Sequence, residues 1–171
     1  MIYLIKSLRS PIAALHCHIG LARMFYKQAP FLGKLYSFVV DPLVAVLYSI
    51  DMTSYTINVD RLSISHPIGV LLGGNGLVSK GHVVISSGVK FVGRSPRDPA
   101  YLERQGRMET FRFGDKVFVG VNTVLVGPLD ICDGVVIGSS SLVNSDILES
   151  GTYVGVPARR IKSEYDESWF E

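Results

Sequence analysis

"FGDKVFVGVNTVLVGPLDICDGVVIGSSSLV", residues 113–143, sets an apolar side chain at every sixth position: Phe113, Val119, Leu125, Ile131, Ile137 and Val143. Gly114, Gly120 and Gly138 directly follow three of them. A half-buried strand alternates with a period of two and an amphipathic helix repeats roughly every 3.6 residues, so neither pattern accounts for the run. A period of six means a short strand plus a turn, with one side chain inward and three such units returning the chain to its starting edge. The expected product is a triangular β-solenoid. Its stacked coils bury the inward column and satisfy one another's backbone hydrogen bonds. Glycine and polar residues belong at the corners, where φ turns positive.

An earlier block, Leu71, Leu77, Val83 and Val89, keeps the same spacing. The two blocks read as one structure, with roughly five or six coils between residues 51 and 155. Between them lies "GRSPRDPAYLERQGRMETFR", residues 93–112, with Pro96, Pro99 and five arginines. It cannot continue a buried column and is expected to leave the coil as a loop. Two readings stand: a tolerated surface insertion, or a flap over a site on the solenoid wall with arginines available to an anionic ligand.

The first fifty residues have a different texture. Lys6, Arg9, Arg23, Lys27 and Lys34 interrupt the apolar runs before they reach the roughly 18 to 20 residues of a spanning helix. No compact apolar core precedes a small-residue cleavage site, so the segment is expected to stay in the mature protein. Through residue 40 it contains basic residues and no acid. A helical cap packed on the rest of the fold and a peripheral contact with the cytoplasmic membrane face both fit that composition.

With 171 residues, 47% of them hydrophobic and 19% charged, the chain suffices for one well-buried unit. Its formal net charge of +2 and the lack of clustered basic and aromatic residues argue against nucleic acid as a partner. Cys17 and Cys132 stand outside any CxxC spacing, which fits a reduced cytoplasmic setting; both are expected to be ordinary buried side chains.

The six-residue series, the extruded loop, "SHPIGVLLGG" at 65–74 and "GVPARRI" at 155–161 together resemble the hexapeptide-repeat acyltransferases. Within that family the chain is most similar to the serine acetyltransferase-like branch. The resemblance covers about residues 50–162. It implies a mainly β fold, a left-handed parallel β-helix, organised as a helical segment 1–50, a β-helix domain 51–162 with the extruded loop 93–112, and a tail 163–171. The branch carries an aspartate fifteen residues before its catalytic histidine, and Asp51 stands fifteen residues before His66. His66 is therefore the expected general base and Asp51 the carboxylate that orients it. Imidazole titrates near neutrality, which suits removal of a hydroxyl proton, and a carboxylate can fix its tautomer without taking the proton. With no nucleophilic Ser or Cys required, direct transfer from acetyl-CoA to a hydroxyl follows, with backbone donors stabilising the oxyanion.

The resemblance also implies that acetyl-CoA lies in a groove between neighbouring β-helices, along Gly120, Val121, Gly138, Ser139, Pro157, Ala158 and Arg159. Small residues there let a ligand approach the main chain, although turn geometry alone also explains them. Arg159, Arg160 and Lys162 are available for phosphates, or simply finish a solvated surface. A homotrimer is expected, with sites between subunits.

Two departures matter. The branch has a second histidine after its loop in an Arg-His-Pro-like segment, where this chain has Glu109 and Thr110 in "METFRFGD". Its long helical N-terminal domain is reduced here to about fifty residues. Short members with basic, apolar N-termini resemble O-acetyltransferases of surface polysaccharides, so a sugar hydroxyl becomes the expected acceptor, with serine O-acetyl transfer as the alternative. A non-catalytic solenoid scaffold is the alternative of another class. His16, His18 and His82 are expected to be structural or exposed. His82 admits a zinc-dependent carbonic anhydrase of related fold, but no histidine follows it to complete that pattern, so no metal is expected. The tail "SEYDESWFE" is expected to dock Trp169 and Phe170 on a neighbour or to stay mobile.

Overall fold

In the computed structural model each turn of chain lays down three short strands, and equivalent strands of successive turns stack in parallel. The structure describes residues 11–95 and 97–170; Lys6, Arg9, Pro96 and Glu171 lie outside the described residues. The first wall is β1 (Ile50–Met52), β3 (Val70–Leu72), β5 (Lys90–Gly93), β8 (Val124–Gly127) and β11 (Leu142–Val143). The second wall takes the latter parts of β2 (Ile57–Ile64) and β4 (Leu77–Ile85), then β7 (Val117–Val119), β10 (Val135–Ile137) and β12 (Gly151–Gly155). The third takes the opening parts of β2 and β4, then β6 (Phe111–Phe113), β9 (Leu129–Ile131) and a bridge from Ile131 to Ile147. This is a five-coil hexapeptide-repeat parallel β-helix, and β13 (Ala158–Lys162) ends it by folding back antiparallel on β12.

The sixfold column is the core. Phe113, Val119, Leu125, Ile131, Ile137 and Val143 are all buried, as are Leu77, Val83 and Val89. Each such burial stabilises the stack by about 1.5–3 kcal/mol relative to exposure. Leu71 is the exception. Val70 and Leu72 point inward, and Leu71 is half-buried on the outer side. The corner Gly73–Gly76 takes five steps from the inward residue Leu72 to Leu77, against four from Ile85 to Val89, which shifts the phase by one.

Two helices close the lower end, α1 (Pro11–Gln28) and α2 (Pro30–Tyr48). Leu15 and Ile19 of α1 and Val44 of α2 join the core of the prism. The helices meet closely at Gly33, where a Cβ would lie 2.5 Å from Cβ of Tyr26. Polar contacts fix α2 on its inner side: Asp41 receives His18 Nε2 at 2.8 Å and the Ser54 amide at 3.1 Å, and Ser37 Oγ meets Ser54 Oγ at 2.7 Å. The helix continues through Lys34 and Asp41, and by length and composition alone it is long and apolar enough to cross a membrane. The charges that break its apolar run in the sequence do not break the helix.

The excursion differs from the expected loop. It contains α3 (Pro99–Gly106), capped by Asp98, whose carboxylate accepts the amides of Ala100 and Tyr101. Arg104 anchors it to the third wall, donating to both carboxylate oxygens of Asp130 at 2.7 and 3.2 Å. Three of its other four arginines are also engaged: Arg94 with the Asn144 carbonyl, Arg107 with Glu103, Arg112 with Glu109. Four of the five arginines thus serve protein partners. The tail differs too. Phe170 is buried against Val84, Phe118 and Val136 on the second wall's outer face, and Trp169 lies 4.3 Å from the Phe118 ring. Tail and wall are further joined by Lys116 and Glu167 at 2.9 Å. Cys17 is exposed and Cys132 only partly buried, contrary to the buried positions expected of them.

Candidate functional site

His66 stands at the corner between the second and first walls. Ile64 pairs with Ile85 and Leu71 with Lys90, so the chain uses seven steps to round the first corner and five to round the next. The two additional residues form an outward bulge that displays the imidazole, and His66 is exposed. His66 has φ 52°, in the left-handed region. The regular left-handed position of this corner is a different column, Gly69, Gly88, Asn122 and Ser140. Only the first coil doubles it. Left-handed non-glycine residues cost of order 1 kcal/mol and persist where the surroundings enforce them. One enforcer is Lys90, whose Nζ donates to the carbonyls of Gly69 and Gly88 and ties the end of the bulge to the next coil. Sequence reasoning missed Lys90, because its role exists only once the corners are stacked.

Asp51 lies on the outer side of β1, two levels below Lys90 in the column Asp51, Leu71, Lys90. Its carboxylate is exposed and lines a cavity of about 550 Å³ with Lys34, Ser37, Asp41, Thr53 and Tyr55. Burial holds the Tyr55 phenol above its ordinary value, with Tyr26 adding to the effect, so it stays a donor at neutral pH. Asp51 and His66 thus occupy adjoining turns, but among the described residues neither side chain makes a hydrogen bond, to the other or to a third group.

The corner that carries His66 continues upward as an edge. Successive residues follow Ile64, Ile85, Val119, Ile137 and Tyr153, which the ladders hold in register. Gly120 with Val121, and Gly138 with Ser139, therefore sit above His66 on the same edge. The turn Val156–Pro157, with Ala158 and Arg159, caps its top. Four steps of about 4.8 Å put the two ends of the edge about 19 Å apart. Gly120 and Gly138 are needed by the stack itself: a Cβ would lie 2.7 Å from the Ile137 carbonyl at one and 2.6 Å from Val154 at the other. Of the cations near the top, Arg160 is engaged by Glu149 at 2.6 Å, whereas Arg159 and Lys162 are exposed.

The residue at the second-histidine position is closed off. Thr110 is fully buried and its hydroxyl donates to the carbonyls of Gly74 and Asn75, while Glu109 pairs with Arg112. Of the remaining histidines, His18 and His82 are structural, and His16 has its Nε2 buried without a hydrogen-bond partner at the rim of a cavity. His18 is held by Asp41 and Tyr36. His82 Nε2 meets Ser63 Oγ at 2.9 Å, and its ring packs on Phe170. Burial, with Arg61 nearby, holds the His82 imidazole below its ordinary value against the opposing pull of Asp115. Among the described residues no three His, Cys, Asp or Glu side chains gather as a metal site would require.

Comparison with known proteins agrees with this architecture. No family model matches the chain. Among solved structures, serine acetyltransferase from Neisseria gonorrhoeae superposes with a TM-score of 0.73 at 22% identity, over 92% of this chain and 57% of that one. The Brucella abortus serine acetyltransferase gives 0.72 at 22%, over 91% and 58%. The soybean enzyme complexed with serine gives 0.67 at 22%, over 86% and 55%. Among curated proteins, the bifunctional protein GlmU of Rubrobacter xylanophilus is 44% identical over 48 residues, 28% of this chain and 10% of that protein. The chain spans little more than half the length of the structures it matches. The likeness is one of fold: a hexapeptide-repeat β-helix with N-terminal helices, as in the serine acetyltransferases.

Proposed function

We propose that this chain is an acetyl-CoA-dependent O-acetyltransferase. The observation that carries the reading is one edge that bears an exposed histidine at its foot and exposed cations at its head, about 19 Å apart. An extended thioester fits it with its phosphates at Arg159 and Lys162 and its pantetheine arm along Gly120, Val121, Gly138, Ser139, Pro157 and Ala158. The acyl carbon then comes to His66. The imidazole takes the acceptor's hydroxyl proton as the oxygen attacks the carbonyl; the carbon–sulfur bond breaks, and the proton passes to the departing thiolate. Asp51 holds the imidazolium once the acceptor closes the gap between the two walls, since catalytic hydrogen bonds are often long before substrate binds. A homotrimer would supply the second side of the groove from a neighbouring copy.

For the acceptor, the structural neighbours support L-serine, since the soybean enzyme is complexed with serine. A sugar hydroxyl is the second reading, favoured by one observation: Thr110 and Glu109 are committed to internal contacts, so the position of the family's second histidine and its arginine contributes nothing to an amino-acid acceptor. The test is a thiol-release assay with acetyl-CoA and either L-serine or a panel of sugars. Efficient use of serine alone would remove the sugar reading, and failure of every hydroxyl acceptor to release thiol would remove the transferase.

A further inference from the structure

The outer face of α2 is apolar from end to end. Phe31, Phe38, Val46 and Leu47 are 72%, 80%, 83% and 71% exposed, with Leu32, Leu35, Val39 and Leu43 between them. The inner face is committed to the prism through Ser37, Asp41 and Val44. The helix therefore cannot leave the body to span a bilayer without breaking the Asp41 contacts, yet it presents a surface far more apolar than isolated exposed side chains would give. Its surroundings are cationic. Lys27 and Lys34 are exposed on the same helical pair, residues 1–40 contain no acid, Asp41 is turned inward onto His18, and Arg23 is spent on Asp60 and the Val59 carbonyl.

We propose that α1 and α2 form a docking face for an anionic lipid surface, with α2 lying in the plane of the interface and its lysines among the headgroups. An apolar face of this breadth flanked by cations is the composition of an in-plane helix, and each lysine near an anionic surface adds about 1 kcal/mol of attraction. A second copy of this chain is the weaker occupant, because a self-complementary contact would bring the lysines of both copies together with Asp51, which shares a cavity with Lys34, as the exposed acid beside them. Phe38 and Pro42 also rim the cavity that holds Asp51, so docking brings that cavity to the level of the headgroups.

The experiment is co-sedimentation of the full chain with vesicles of phosphatidylethanolamine containing about a third phosphatidylglycerol, against vesicles of phosphatidylcholine alone. Wild type is expected to pellet with the anionic vesicles and to be released by salt. The triple variant Phe31→Ser, Val46→Ser, Leu47→Ser changes only exposed side chains and should lower the partition coefficient at least about 30-fold. Lys27→Gln and Lys34→Gln should each lower it about fivefold. Sedimentation velocity without lipid supplies the other readout. Equal binding to both vesicle types, binding unchanged in the triple variant, or a triple variant that dissociates an assembly while wild type ignores lipid would each overturn the proposal, the last in favour of a second copy.

Discussion

Thr110→His restores the side chain that serine acetyltransferases are expected to have at this position, and the structure argues against its being accommodated. The Thr110 hydroxyl is the donor for the Gly74 and Asn75 carbonyls at a fully buried site, so Thr110→Val alone costs about 1–3 kcal/mol for the groups left unpaired. A ring would enter a fully buried site. Thr110 Cγ2 already lies 2.8 Å from where a Cβ on Gly127 would stand and 3.5 Å from one on Gly74. Overpacking of this kind adds about 1–3 kcal/mol, for a total of about 2–6 kcal/mol. A domain of this size loses about 2–4 °C of melting temperature per kcal/mol, so Thr110→Val should melt about 2–12 °C lower and Thr110→His about 4–24 °C lower. Thermal unfolding followed by circular dichroism reads both, and serine-dependent thiol release, measured well below the transition, should not rise in Thr110→His. A Thr110→His variant that melts with wild type, or that gains serine activity, would refute the description of Thr110 as an internal lock.

Gly76→Ala should be among the most destabilising single-methyl changes in the chain: φ is +121° and the new Cβ would fall 2.0 Å from the Met108 carbonyl. Denaturant unfolding is expected to show a loss above about 2 kcal/mol, with hydrogen exchange rising first in 94–110, and a neutral outcome would contradict the packing of the excursion on that corner. Acid should destabilise the fold through His82. Its folded pKa lies below the unfolded value of about 6.5, so the unfolded chain binds more protons, and the contribution is complete above that pH and lost as pH falls through the folded value. His16, held low by burial, acts in the same direction. Replacing His82 by Gln should flatten the stability profile below about pH 6.5, and a profile identical to wild type would exclude it as a contributor.

The β-helix was legible because each wall and corner leaves its own mark: an inward side chain at a fixed interval is the direct imprint of the stack, and Phe113 to Val143 keep it without a gap. What was not legible depends on partners distant in sequence. Asp98–Pro99 is a sound helix-start signal, but the proline and arginine content around it pointed to a loop, and Arg104 finds its carboxylate only at Asp130, on the wall of a later coil. The tail left a readable trace. Val84, Phe118 and Val136 are apolar residues on the outer side of the second wall, one above another, and such a stripe calls for a cover that Phe170 and Trp169 provide. The bulge that displays His66 was hidden for a different reason: the histidine and its flanking motif are visible in the sequence, but the two additional corner residues emerge only when the registers on either side are compared. The same holds for Lys90.

The central claim is that the imidazole at the foot of the edge removes the acceptor's proton. Acetyl-CoA-dependent thiol release, measured with the best hydroxyl acceptor for wild type and for His66→Ala at equal protein concentration, tests it most directly. The account predicts a fall in kcat of about 100- to 10,000-fold with melting temperature unchanged. Undiminished turnover in His66→Ala would contradict it.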